Sequence, residues 1–246
     1  MIVSEYYLKN IQQKENRKIL EENISDLALL TFETLDALEF LHKSNLIHRC
    51  LSPNCILLDS ENHVKLANYG LYYMTECGAC VSFPIGIPKY LAPETLMGDV
   101  PGKSDYSFPY PLPSGPKSDI WSLGIIILEL VLGKELWEHC IIDEIFQEIL
   151  LLVKLDSGQS VLYTIAKEHD VIQKLENMPS TLKSFLESCL TTDPLKRPNA
   201  SKLLEHEFFK EHGLDDSHRI KIIKESFPSI ELRCRSLILP KNVPII

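Results

Sequence analysis

A mainly α fold of the α+β class, with small strands gathered at one edge, is predicted by three observations. Apolar residues recur at helical spacing across 24–43. The stretch 118–132 is apolar on nearly every side. Three short apolar pieces, Leu46-Ile47, Ile56-Leu57-Leu58 and Val64-Lys65-Leu66, lie between polar turns and suit small paired strands.

In the first helix Leu27, Leu30, Thr34, Leu38 and Leu41 share a face, and Ala28, Leu35 and Ala37 widen it. Asn23 is placed to cap its start, because its side-chain oxygen can take an orphan amide of the first turn. Asp26 sits near the positive end of the helix dipole. The second helix is expected to begin with Ser118 as cap and Asp119 in its first turn, and to stop at Gly133. A helix without a polar face belongs at the centre of the fold. Further helices are expected near 141–155, 181–190 and 200–205. Residues 2–7 read as a short strand, followed by a polar stretch up to Glu22. From Gly70 to about Lys117 there is little periodicity. Prolines 93, 101, 109, 111, 113 and 116 punctuate this long irregular segment.

Composition narrows the function classes. Of 246 residues, 45% are apolar and 24% charged, which supports a real core and excludes disorder as the default state. The net charge of -9, without a basic stripe, argues against nucleic-acid binding. Seven scattered cysteines form no disulfide framework and fit a reducing, cytoplasmic setting. The N-terminus lacks the pattern of a signal peptide. The most apolar run, 125–132, is too short to cross a bilayer.

The order of motifs is more specific. His48-Arg49-Cys50-Leu51-Ser52-Pro53-Asn54-Cys55 resembles the catalytic loop of protein kinases, and Val64-Lys65-Leu66-Ala67-Asn68-Tyr69-Gly70 resembles the metal-binding segment after it. Gly86-Ile87-Pro88-Lys89-Tyr90-Leu91-Ala92-Pro93-Glu94 resembles the end of the activation segment. Ser118-Asp119-Ile120-Trp121-Ser122-Leu123-Gly124 and Asp193-Pro194-Leu195-Lys196-Arg197-Pro198 resemble the later C-lobe motifs. Phe83-Pro84-Ile85-Gly86, the run from Pro111 to Asp119 and Leu232-Arg233-Cys234 resemble the TBC-domain-containing protein kinase-like family.

This resemblance implies a kinase-like C-terminal lobe, with the N-lobe absent or reduced to the hinge-like strand Val3-Ser4-Glu5-Tyr6. The kinase-like domain is expected over 1–212, with 213–246 as a linker or tail toward a missing downstream domain. The chain is read as a fragment carrying half of a nucleotide cleft at most. It also implies what each position would do. The loop aspartate that accepts the substrate proton falls at Cys50, the phosphate-steadying lysine at Ser52, the asparagine for the second magnesium at Cys55, and the main magnesium aspartate at Asn68. A neutral thiol neither orients nor accepts well, and sulfur suits a hard cation poorly. His48, Arg49, Glu94, Asp119, Trp121 and Arg197 keep architectural roles, with Glu94 and Arg197 forming a buried pair.

The expectation is therefore a pseudokinase, not an enzyme, without catalytic residues, metal or cofactor. It would act as a scaffold in a Rab-regulating, TBC-type protein and bind protein partners of the Rab pathway. The alternative is a serine/threonine kinase domain binding ATP and Mg. Cys50 and Cys55, with Cys77 and Cys80, also raise the question of a zinc or redox site.

Overall fold

Asn23 does cap the long helix. In the computed structural model, which describes residues 9–69, 86–98, 115–155 and 158–219, its Oδ1 accepts the amides of Ser25 and Asp26 at 3.0 and 3.3 Å. Strand β1 (Lys9–Asn10) leads into helix α1 (Lys14–Glu22), and α2 (Ile24–Lys43) follows. Helix α1 corrects the expectation of a plain polar stretch before Glu22. Its sequence is mostly polar, yet Leu20 is buried and Arg17 reaches Glu135 at 2.7 Å, so distant contacts rather than periodicity hold it. Asn10 Oδ1 accepts the amides of Gln12 and Gln13, closing the turn between β1 and α1.

Strands β2 (Ile56–Leu58) and β3 (Val64–Leu66) form an antiparallel hairpin, and β1 adds to β2 in the order β1-β2-β3. Leu57 faces Lys65 across the hairpin and Asn10 across the other edge. Asp59 closes the hairpin turn by accepting the amides of Glu61 and His63. Leu46 and Ile47, expected to pair as strand, instead run as an irregular link into the loop. The hairpin is pinned to α2 by the buried Glu33, which takes the Val64 amide at 2.7 Å and His63 Nδ1 at 2.8 Å.

A short 3₁₀ turn (Pro88–Tyr90) and helix α3 (Pro93–Gly98) precede α4 (Lys117–Leu132), the axis of the fold. Ser118 does not cap α4. The helix begins one residue earlier, and the Ser118 hydroxyl lies inside the first turn, donating to Gly115 O at 2.7 Å. At the other end Gly133 takes φ +58, a left-handed conformation that ends the helix without a Cβ penalty. Around α4 stand α5 (Ile142–Leu152), α6 (Val161–Glu168), α7 (Ile172–Glu176), α8 (Ser180–Cys189), α9 (Ala200–Leu204) and α10 (Glu207–Glu211). Helices α3, α6, α7 and α10 were not expected from the sequence. Gly124 lets α8 press against α4, because a Cβ there would meet Cys189 Cβ at 2.8 Å. Ring contacts near 5 Å join Phe32 of α2, Phe185 of α8 and Phe209 of α10.

The core is one contiguous cluster centred on α4, whose Ile120, Trp121, Leu123 and Ile125–Leu128 side chains are fully buried. Just past α10, Arg219 folds back onto α2 and pairs with Asp36 and Glu39. Burial pulls Glu39 up, but hydrogen bonds from Ser201, Lys43 and Arg219 outweigh it and hold the carboxyl down at about 2. The expected strand at 2–7, Cys77, Cys80, most of the proline-rich stretch and Leu232-Arg233-Cys234 lie outside the described residues. No helix among the described residues is long and apolar enough to cross a membrane.

Candidate functional site: the catalytic-like loop

The loop between α2 and β2 is built around a single carboxylate. Asp119, in the first turn of α4, accepts the amides of His48 and Arg49, each at 2.9 Å, and His42 Nε2 at 2.8 Å. Those bonds hold Arg49 at φ +67, a left-handed backbone that a long side chain rarely adopts. Asn68, at the end of the segment after the hairpin, stands at φ +63. Two non-glycine residues in this backbone region mark segments held in shape by their surroundings.

His48 lies beneath the segment that carries Asn68. Its Nε2 is 3.0 Å from the Ala67 carbonyl, which can only accept, so this nitrogen carries the proton. The 3₁₀ turn Pro53–Cys55 then delivers Cys55, with its amide donating to Ser52 O at 2.9 Å. The Ala67 amide donates to Cys55 O at 2.9 Å and fixes the hairpin end against the loop.

The four positions singled out in the sequence do converge. The Ser52 hydroxyl lies 3.4 Å from Cys55 Sγ, and Asn68 Nδ2 donates toward the same sulfur at 3.9 Å. Cys50 Sγ lies 3.6 Å from Asn68 O and 3.9 Å from His48 Nδ1. The Cys55 thiol also donates to the Cys50 carbonyl at 3.4 Å. The neighbouring Cys50 side chain, with help from Ser52 and His48, favours a Cys55 thiol below the ordinary range although burial opposes it, and Cys50 is pushed the other way, first by Cys55 and then by burial.

These donors fit a hard cation poorly. Magnesium asks for an octahedron of oxygens, normally with carboxylates. The four side chains supply two sulfurs, one hydroxyl and one amide. Asp119, the carboxylate beside them, has both oxygens committed to the loop. Among the described residues no group of three or more His, Cys, Asp or Glu side chains is arranged to hold a metal ion.

Arg197 is fully buried and bonds Glu94 in a fork, at 2.7 and 3.0 Å. Its other donors reach the carbonyls of Thr191, Lys117 and Thr192, and its guanidinium lies 5.2 Å from the Trp121 ring. One network escaped the sequence reading. Buried Glu129 of α4 accepts from Lys89 at 2.8 Å, from the Tyr90 hydroxyl at 2.7 Å and from the Leu136 amide at 2.8 Å. Burial, then the Glu129 charge, pushes the Tyr90 hydroxyl upward. The only sign of this network in the sequence is a glutamate interrupting an apolar helix.

Residues 1–209 match the family described as the protein kinase domain. The chain is 38% identical to the mouse "TBC domain-containing protein kinase-like protein" over 89% of its own length and 24% of that protein. It is 36% identical to the human protein of that name over 99% of itself and 27% of the relative. It is also 31% identical to yeast "Serine/threonine-protein kinase STE20" over 78% of itself and 18% of that protein. The chain thus spans about a quarter of the length of the TBC kinase-like relatives. With a kinase match over most of its residues and this likeness beside it, the chain belongs to the protein kinase domain family and is similar to its TBC domain-containing, kinase-like members.

Proposed function

We propose that this domain is a pseudokinase: a kinase-like scaffold that binds partners and transfers no phosphate, within a protein that regulates Rab GTPases through a TBC domain. One observation carries the reading. Where phosphoryl transfer needs a base, a cation and two metal ligands, the loop offers Cys50, Ser52, Cys55 and Asn68. Every one is formally neutral as an ordinary side chain. A missing general base alone costs about 10²–10⁴ in rate, and the other losses strike separate roles.

The scaffold half of the reading draws on what is kept. Asp119 and the Glu94–Arg197 pair hold the lobe in a kinase-like shape without serving the chemistry. In this reading residues 1–212 form the domain and 213–246 connect it onward, the Rab link belonging to the parent protein. The competing reading, a serine/threonine kinase domain that binds ATP and Mg, draws on the likeness to the yeast kinase.

A thermal melt of the parent protein with ATP and magnesium separates the two. A ligand at a hundredfold its dissociation constant stabilises by about 2.7 kcal/mol. The pseudokinase reading expects no such shift in this domain, and no peptide phosphorylation. Metal-dependent stabilisation, or phosphate transfer abolished by Asn68→Ala, would refute it.

A further inference from the structure

A lone exposed apolar side chain carries little meaning by itself. Phe40 differs because of what approaches it. It is 72% exposed, more than any other large apolar side chain among the described residues. It lies on α2 four residues after Asp36, so the two share one face of the helix. The last described stretch of the chain runs toward that face. Gly213, at φ +68, follows α10, and Leu214 is buried. Asp215 Oδ1 then accepts the amides of Ser217 and His218 at 2.8 and 3.3 Å. The Arg219 amide donates to Asp215 O at 3.2 Å, so a new, capped helical turn begins. The His218 ring meets Phe32 edge-on, with 6.0 Å between centroids. Arg219 pairs with Asp36 and, at 2.7 Å, with Glu39. The contacts thus advance along α2 from position 32 to positions 36 and 39, and Phe40 comes next.

We propose that the face of α2 around Phe40 is the docking site for residues 220–227 of this chain, with Ile222 and Ile223 covering the Phe40 ring. Those residues lie outside the described ones, and their sequence suits the task. Ile222 and Ile223 follow Arg219 by three and four residues, the spacing that keeps side chains on one helical face. Lys221 and Lys224 fall on the opposite side. Pro228 sets the far limit of such a turn.

The reach is short. Asp36 and Phe40 are about one helical turn apart, or roughly 5.4 Å, and Arg219 and Ile223 are separated by the same number of residues. Arg219 is already held by two carboxylates, so covering Phe40 orders only a few more residues. A second copy or a foreign helix would have to displace a segment tethered one turn away, at high effective concentration. The connecting tail then starts near Pro228, and the domain itself sets the direction in which the chain departs. None of this depends on whether the loop transfers phosphate.

Photocrosslinking in the full chain tests the docking. Phe40→p-benzoylphenylalanine puts a light-activated ring at an exposed position, where it disturbs the fold little. After irradiation and trypsin, the peptide 19–43 should carry Ile222-Ile223-Lys224, in a product of monomer mass. A crosslink between two chains, a crosslink only to another segment, or none overturns the proposal. Thermal unfolding gives a second reading. Phe40→Ser should lower Tm by about 2–4 °C, and so should Ile222→Ser combined with Ile223→Ser. All three changes together should lower it no further than the larger of those two effects, because they remove one shared contact. An unchanged Tm for Phe40→Ser, or fully additive losses, would equally overturn it.

Discussion

Two polar regions of the molecule treat charge in opposite ways. In one, Arg197 is fully buried, and each of its nitrogens meets Glu94 or a backbone carbonyl. Asp119 likewise spends both oxygens on the loop backbone and His42. In the other, the converging groups are two thiols, a hydroxyl and an amide. Charge stands where it locks the chain, and neutral groups stand where a nucleotide's phosphates would need it. A buried ion without its counterpart is costly, so the anchor constrains its residues severely. Neutral groups at a half-open loop carry no such penalty, and the loop is freer to hold other chemistry.

The contrast predicts a graded response, largest at the anchor. Glu94→Ala strands the Arg197 guanidinium in the core and should cost about 3–5 kcal/mol in urea unfolding. A loss below about 1 kcal/mol would show that water or another group replaces Glu94, and the anchor would then be no anchor. Asp119→Ala leaves the His48 and Arg49 amides without their acceptor, with an expected loss of about 2–4 kcal/mol in the same measurement. Amide exchange at His48 and Arg49 should accelerate in that variant, because the left-handed turn loses its support. Cys50→Ser should be the mildest, at about 0.5 kcal/mol or less, since the site is half-buried and the replacement keeps a donor. A cost equal to that of Asp119→Ala would merge the two regions and end the comparison.

The candidate site was unevenly legible. The motif order marked Asp119 as architectural and pointed to the Glu94–Arg197 pair, because these residues serve the fold itself. The surroundings of Cys50 and Cys55 were only raised as a question about four thiols. Five residues of sequence separation say nothing about which groups two side chains meet. In the fold Cys55 Sγ donates to the Cys50 carbonyl and Cys50 Sγ to the Asn68 carbonyl. Glu129 was harder still, since Lys89 and Tyr90 lie some forty residues earlier.

By itself the sequence determined the elements whose signals are local. Helix α2 was marked at its start and along its length: Asn23 caps it through amides two and three residues away, and its apolar stripe needs only helical spacing. Helix α4 announced its burial through apolar residues on nearly every side, and Gly133 its end. Tertiary structure alone decided that the polar segment 14–22 is helical, that Leu46-Ile47 is not a strand, and that Arg219 returns to Asp36 and Glu39 on α2. Capping and periodicity act across one or two helical turns. Burial and ion pairing act between segments whose separation along the chain has no bearing on their distance in space.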